Sequence, residues 1–385
     1  MKKIMILTSN AGGGHMSITR AIKGAFDKHY KDSCEITVVQ LGNFAPLNDV
    51  LSDEGYKLAV NAVPSLYKFG YDVADNNGLN ELKRNLKQLN KGKPSLVVEY
   101  KRTGPNARFR KLVEKHQPDV IIGAYYIATS FALYTKAQYG YKYKVMQINC
   151  DFNVNYQYYK FSYDAIVCMS DLDKETMLSV GIPEEKIYMV GYPIQEQLLT
   201  IRDKKYMCEK YNLLSSKNIL VMGGGFGHKL EKLVKLLVAS ITDYNIIVMC
   251  ASNEKLLAKL TKLQSLAPNL FPFGFIDVTD VGGFMDISDI VVSKCGGNSI
   301  TEFMAKQLPV MLFNPIPGQE EDNKDYLLNK GLCFYSPDYE SLIVNLKTAL
   351  KDEFALNRMK EAMRHYYKPD AAKKIADLAL KLIDE

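Results

Sequence analysis

The 385-residue chain has no tryptophan and no Cys-x-x-Cys pair. Its seven cysteines, Cys34, Cys150, Cys168, Cys208, Cys250, Cys295 and Cys333, are odd in number and widely spaced. That argues against a disulfide framework or a zinc site and for a reducing compartment. No apolar run approaches the roughly 20 residues that a membrane-spanning helix needs. The short apolar start at 3–8 is followed by glycines rather than a small-residue cleavage site, so it reads as a buried strand, not a secretory signal. Apolar residues make up 47% and charged residues 24%, which excludes fibrous and wholly disordered classes.

Charge excess is also missing from half of the chain. Residues 196–385 hold 24 basic and 24 acidic side chains, whereas 1–195 hold 25 and 19. The excess concentrates at 83–115, with 11 basic and two acidic residues. A field of that sign points to an anionic partner. That partner is either a membrane surface or a nucleic acid, and for the latter the sequence shows no recognition fold.

What the chain does have is a repeating pattern. Short runs rich in Val, Ile, Leu and Met occur at 3–8, 35–41, 119–123, 144–149, 165–170 and 187–190. They recur at 218–222, 245–250, 270–276, 289–293, 310–314 and 333–335. Continuous apolar runs of this length are the signature of parallel strands buried on both faces. Segments such as 16–29, 107–115, 229–240 and 299–306 suit helices between them. The alternation predicts an α/β chain of two doubly wound parallel-sheet domains, with a boundary near 195–215. Residues 43–106 break the rhythm and read as an irregular or helical insertion. The segment 357–385 reads as one or two helices interrupted by Pro369.

Four segments sit where strands give way to helices. Gly12-Gly13-Gly14-His15 follows the first strand. Glycines let backbone N–H groups approach a ligand, and a helix N-terminus favours negative charge. It is not a dinucleotide fingerprint: Ser17 stands at the third glycine position, and no acid ends the second strand. His15 is either a general base or, with the glycines making a tight turn, a cap on the helix. Gly223-Gly224-Gly225-Phe226-Gly227-His228 occupies the equivalent place in the second half. Lys294-Cys295-Gly296-Gly297-Asn298-Ser299-Ile300-Thr301-Glu302 builds another helix start, with Glu302 one turn in. Pro315-Ile316-Pro317-Gly318-Gln319-Glu320 with Asn323 offers side chains suited to sugar hydroxyls, or a solvated acidic helix start. No Asp-x-Asp motif is placed to hold a metal and a diphosphate.

In these motifs the chain resembles the glycosyltransferase family that includes the lipid II-forming N-acetylglucosaminyltransferase, plant monogalactosyldiacylglycerol synthase and bacterial processive diacylglycerol glucosyltransferase. The strongest points are Gly296-Gly297-Asn298-Ser299-Ile300-Thr301-Glu302 and Pro315-Ile316-Pro317-Gly318-Gln319-Glu320. The Pro-x-Pro-Gly-Gln-Glu form favours the diacylglycerol branch. Gly12-Gly13-Gly14-His15, His116-Gln117-Pro118-Asp119 and Asp151-Phe152 match as well. The likeness spans nearly the whole chain and is loosest at 43–106. Cys295 stands where that branch often carries proline, a change of loop stiffness rather than chemistry.

The resemblance implies a GT-B fold, two Rossmann-like domains facing across a cleft. Residues 1–195 would form an acceptor and membrane-docking domain with an irregular basic insertion at about 43–106. Residues 196–365 would bind the UDP-sugar, and 366–385 would form a helix that can cross back to the first domain. It further implies inverting, metal-independent transfer of a hexose from a UDP-sugar to 1,2-diacylglycerol at the cytoplasmic face of a membrane. Glucose is expected ahead of galactose, and repeated addition is left open. No cofactor is implied, since the UDP-sugar is a co-substrate. Phe275 and Ile276 would lie near uracil and Glu302 at the ribose. Ser299, Gly224, Gly225, Gly296 and Gly297 would meet the diphosphate. Gln319, Glu320 and Asn323 would meet the sugar, and Gly14 would join the same ligand. His15 would be the base, with Asp151 the second candidate. Lys83, Arg84, Lys87, Lys91, Lys93 and Arg102 would dock on anionic headgroups. Three other readings stay open: a polyprenyl-diphosphate acceptor, which Pro317-Gly318-Gln319-Glu320 argues against; a UDP-sugar epimerase, which would not need the basic insertion; and a non-catalytic UDP-sugar sensor, which would tolerate loss of His15.

Overall fold

A computed structural model describes residues 1–9, 12–50, 68–76, 80, 104–156, 159, 162–214, 217–223 and 230–385. Lys83, Arg84, Lys87, Lys91, Lys93 and Arg102 lie outside the described residues, as do Gly224 and Gly225. The chain forms two compact units. One comprises Met1–Gln195, Pro317–Gln319 and Lys368–Glu385, the other Glu196–Ile316 and Glu320–Tyr367.

The first unit is built on β1 (Lys2–Thr8), β2 (Cys34–Gln40), β3 (Val120–Gly123), β4 (Lys144–Ile148), β5 (Ala165–Cys168) and β6 (Ile187–Met189). They form one parallel sheet in the order β2-β1-β3-β4-β5-β6. The second unit holds β7 (Asn218–Met222), β8 (Asn245–Met249), β9 (Leu270–Phe273), β10 (Ile290–Ser293), β11 (Val310–Phe313) and β12 (Phe334–Ser336). Its parallel order is β12-β11-β10-β7-β8-β9. Helices cover the sheet faces, so the central strands are buried throughout: Ile4–Leu7, Val120–Ile122 and Ile246–Val248 are all at most 1% exposed. That double burial is why these strands read as unbroken apolar runs. Each of the twelve runs became a strand. The run at 270–276 stops early: β9 ends at Phe273, and Phe275 stands 81% exposed.

Each sheet has one place where the strand order reverses, between β1 and β3 and between β7 and β10. In open parallel sheets, ligands bind at the carboxyl ends of the strands flanking that point. Gly12 to His15 follow β1, and Gly223 and the 294–297 segment follow β7 and β10. The topology thus brings the motifs to the switch points of their own sheets.

The chain's last two helices belong to different units. Glu353–Tyr366 packs in the second, while Ala371–Asp384 lies on the helix Gly12–His29 of the first. Pro369 lies in the break between them, as the sequence predicts. The final helix turns Ala371, Ile375, Ala376, Leu378, Ala379 and Leu382 inward, a stripe at helical spacing. Each large member contributes roughly 1.5–3 kcal/mol by leaving water. Lys2 Nζ meets the Asp384 carboxylate at 2.6 Å, and the Tyr30 hydroxyl donates to Asp377.

The returning segment presses on Gly191, whose φ is +87°. A Cβ there would stand 2.6 Å from Cβ of Lys368. Both the left-handed backbone and the close approach require glycine. Gly191→Ala is expected to cost roughly 2–4 kcal/mol, read as a lower denaturation midpoint at unchanged slope. A midpoint within error of the parent would show that the segment does not press here.

The end of the basic stretch is described, in the helix Gly104–His116. Arg108 Nε donates to the Phe44 carbonyl at 2.7 Å. Arg110 pairs with Glu114 at 2.7 Å and lies over the Tyr139 ring at 4.2 Å. These two guanidinium groups are thus engaged within the protein. Among the described residues, no helix is long and apolar enough to cross a membrane.

Candidate functional site

In the first unit the site grows from the carboxyl end of β1. The helix Gly12–His29 starts with three glycines and carries no acid in its first turn. The Tyr192 hydroxyl donates to the Gly14 carbonyl at 3.2 Å, anchoring that turn. His15 follows on the same turn. Its ring lies 5.0 Å from that of Tyr125, just past the end of β3. The two aromatic rings therefore flank the switch point of the first sheet. His15 Nδ1 is enclosed and has no hydrogen-bond partner among the described residues. Burial lowers the imidazole to about 4, because the low-dielectric surroundings disfavour its cation. At neutral pH the ring is uncharged and free to accept a proton.

Asp151 lies past the end of β4, on the same sheet edge, and is 4% exposed. Cys150 Sγ donates to its carboxylate at 3.5 Å. Gln319 belongs to the first unit by its contacts, and its amide donates to the same carboxylate. Beneath Asp151 is a group the sequence reading missed. Asp173 is fully buried; Asn149 donates to it at 2.8 Å and the Tyr159 hydroxyl donates to its other oxygen. Burial, with the Asp151 charge nearby, pushes Asp173 up to about 8, so it keeps its proton at neutral pH. Polar residues directly after a buried strand, Asn149 and Asp151, were the available signal.

In the second unit the site grows from β7 and β10. Gly223 follows β7; a Cβ there would stand 2.6 Å from the Leu230 side chain, so the Gly223 backbone lies close against the start of the next helix. After β10, Gly296 caps the helix Gly297–Ala305 with no side-chain bond, and no acid lies in the helix's first turn. A helix start of that kind can meet an anion through its backbone N–H groups. Ser299 lies in that first turn, half-buried. Glu302 is 7% exposed and accepts from Asn298 Nδ2 at 3.0 Å. Burial raises its carboxyl to about 7, while the Asn298 bond pulls the other way. Phe275 and Ile276 follow β9; Phe275 projects into solvent and Ile276 is half-buried.

Glu320 and Asn323 are both engaged with neighbouring segments of the second unit. Glu320 Oε2 accepts from the Ile316 backbone at 2.8 Å, and Lys294 Nζ stands 3.5 Å from Oε1. Asn323 Nδ2 donates to the Cys295 carbonyl at 3.1 Å. Cys295 Sγ in turn donates to the Glu320 carbonyl. These bonds tie the 294–297 turn to the 315–323 segment. A sugar would have to share Glu320 with them. The Cys295 thiol supplies by hydrogen bonding some of the stiffness a proline ring would give.

Known proteins resemble the chain over nearly its whole length. Residues 15–194 match the family model of monogalactosyldiacylglycerol (MGDG) synthase. Residues 218–379 match that of the glycosyltransferase family 28 C-terminal domain. A processive diacylglycerol beta-glucosyltransferase of Bacillus cytotoxicus is 27% identical over 98% of this chain and 93% of its own length. Among solved structures, MurG of Acinetobacter baumannii aligns with TM-score 0.60 and 14% identity, over 99% of this chain and 100% of that one. UDP-GlcNAc 2-epimerase of Neisseria meningitidis bound to UDP-GlcNAc aligns with TM-score 0.64 and 14% identity, over 99% and 100%. At that identity the structural likeness establishes the fold, which is of the GT-B type.

Proposed function

Since the chain belongs to the diacylglycerol glycosyltransferase family, we propose that it moves a hexose from a UDP-sugar onto 1,2-diacylglycerol, with inversion and without a metal. Glucose is the favoured hexose, because relatives named processive diacylglycerol beta-glucosyltransferases align over nearly the whole chain. The observation that carries the reading is the second sheet's switch point. There an uncapped helix start, at Gly297, and a buried carboxylate, Glu302, lie one turn apart.

The chemistry follows from those groups. The diacylglycerol hydroxyl oxygen attacks the anomeric carbon in line with the departing UDP oxygen. The new C–O bond forms as the old one breaks, and the bonding electron pair leaves with UDP. The hydroxyl proton passes to the neutral imidazole of His15, with Asp151 the second candidate. A base of this kind is worth about 10²–10⁴-fold in rate. The backbone N–H groups at Gly297 and beyond balance the charge that grows on the diphosphate. Glu302 takes the ribose hydroxyls. A water-soluble enzyme using this acceptor works at a bilayer, and the basic stretch at 83–102 supplies charge for an anionic, cytoplasmic surface.

The test is transfer from labelled UDP-glucose and, separately, UDP-galactose into diacylglycerol in mixed vesicles, counting free UDP and lipid-phase label together. Label entering the lipid from UDP-glucose is expected. UDP released with no lipid label would overturn the acceptor and turn attention to polyprenyl diphosphates. Neither signal from either donor would overturn the transferase reading in favour of an epimerase or a sensor.

A further inference from the structure

Asn298 has no part in the scheme above, yet its surroundings are unusual. It lies one turn before Glu302 on the helix Gly297–Ala305, and residues four apart on a helix are side-chain neighbours. Its Nδ2 is committed to Glu302 Oε1 at 3.0 Å. Its Oδ1 is enclosed and has no partner among the described residues. A buried amide oxygen without a donor is costly, and native proteins keep few of them. Glu302 makes no other side-chain hydrogen bond among the described residues. The hydrogen-bonded pair thus leaves two acceptors unused among the described residues, Asn298 Oδ1 and the second Glu302 oxygen, one of them on a carboxylate.

The chemistry of those acceptors restricts what can fill them. A diphosphate has no donors and would be repelled by the carboxylate. A uracil ring offers one N–H. Two hydroxyls on adjacent carbons offer two donors, one for each acceptor. We propose that Asn298 is a positioning and specificity residue of the nucleotide site, its N–H fixing one Glu302 oxygen and its carbonyl joining the other as paired acceptors for the vicinal diol of a ribose. The inference rests on the UDP-sugar reading and adds to it a residue and a discrimination. The site then selects ribonucleotides over deoxyribonucleotides, because a missing hydroxyl leaves a buried acceptor unpaired.

The test is calorimetric titration of the full chain with UDP, 2′-deoxy-UDP and 3′-deoxy-UDP at pH 8. The parent protein is expected to bind UDP about 10-fold or more tighter than each deoxy compound. Asn298→Ala is expected to lower UDP affinity about 10-fold and to shrink at least one of the two ratios to within about threefold. Asn298→Ser, small and polar but too short to hold Glu302, should give the same collapse and guards against loss of fold. Ratios are insensitive to the fraction of protein folded, so a purely structural role for Asn298 would leave them at the parent value, and that result overturns the inference. UDP binding with no preference over either deoxy compound in the parent overturns it too, while leaving the transferase reading intact. No binding of any of the three, with no lipid labelling, overturns both.

Discussion

His15→Ala is expected to lower turnover by two or more orders of magnitude while UDP affinity stays within about twofold. The split is the informative part. His15 lies at the switch point of the first sheet, and the residues that meet UDP in this scheme lie at that of the second. Removing the imidazole therefore removes proton acceptance and little else. Initial rates of lipid labelling at saturating UDP-sugar, with UDP affinity measured separately, read the two effects. Near-normal turnover would take His15 out of the mechanism and make Asp151 the next candidate. Burial holds the imidazole at about 4, so it stays unprotonated from pH 8 down to pH 5. In the free protein, therefore, His15 adds no titration of its own across that window. A base this weak gains strength when an anionic substrate arrives, because nearby negative charge favours the imidazolium.

Glu302→Gln is expected to weaken UDP binding about 10-fold at pH 8 and, at the same pH, to stabilise the fold. The carboxyl is raised to about 7 from an ordinary value of 4.5. The folded state therefore holds this proton more tightly than the unfolded chain does. Stability contributed by the protonated form is present below about pH 4.5 and is lost as pH rises through 7. Above pH 7 the buried charge costs about 3 kcal/mol. Glutamine carries no charge and can still accept from Asn298, so the variant should gain up to about that amount at pH 8 and almost nothing at pH 4.5. Denaturant melts at the two pH values measure it, and equal stability of variant and parent at pH 8 would refute the burial argument. Binding should move the other way. A charged acceptor makes the stronger hydrogen bond to a hydroxyl, so the parent's UDP affinity should rise between pH 6 and pH 8. The UDP phosphate also titrates near 6, and the glutamine variant reports that contribution alone.

The strands were legible because a parallel strand covered on both faces can carry almost nothing but apolar side chains. The positions of the glycine turns were legible for a related reason, since a turn at a strand's carboxyl end needs small residues. Phe275 marks the limit. Its apolar side chain looks like more strand, and only the fold reveals that it projects into solvent after β9 has ended. Glu320 and Asn323 mark another. Carboxylates and amides suit a sugar and suit a turn equally well, and their bonds to Ile316 and Cys295 depend on segments up to 28 residues apart in sequence. Asp173 was invisible because nothing in Asp171-Leu172-Asp173 distinguishes a buried acid from a solvated helix start. The orphaned oxygen of Asn298 is likewise a property of three-dimensional enclosure.

The helix Ala371–Asp384 has a bearing on how this protein is made. The first unit holds both Met1–Gln195 and Lys368–Glu385, so its apolar stripe meets its partner only after the second unit's residues have been made. At about 5–20 residues per second, roughly 10–40 s separate the appearance of Gln195 from that of the final helix. Throughout that interval the face of the helix Gly12–His29 that the final helix covers stays uncovered on the nascent chain. Holdase chaperones have their best opportunity then, and a ribosome that stalls in the second half would leave a sticky, incomplete first unit behind. A fragment stopped after Gln195 would inherit the same exposed face, and supplying the last helix as a separate peptide is the direct way to cover it.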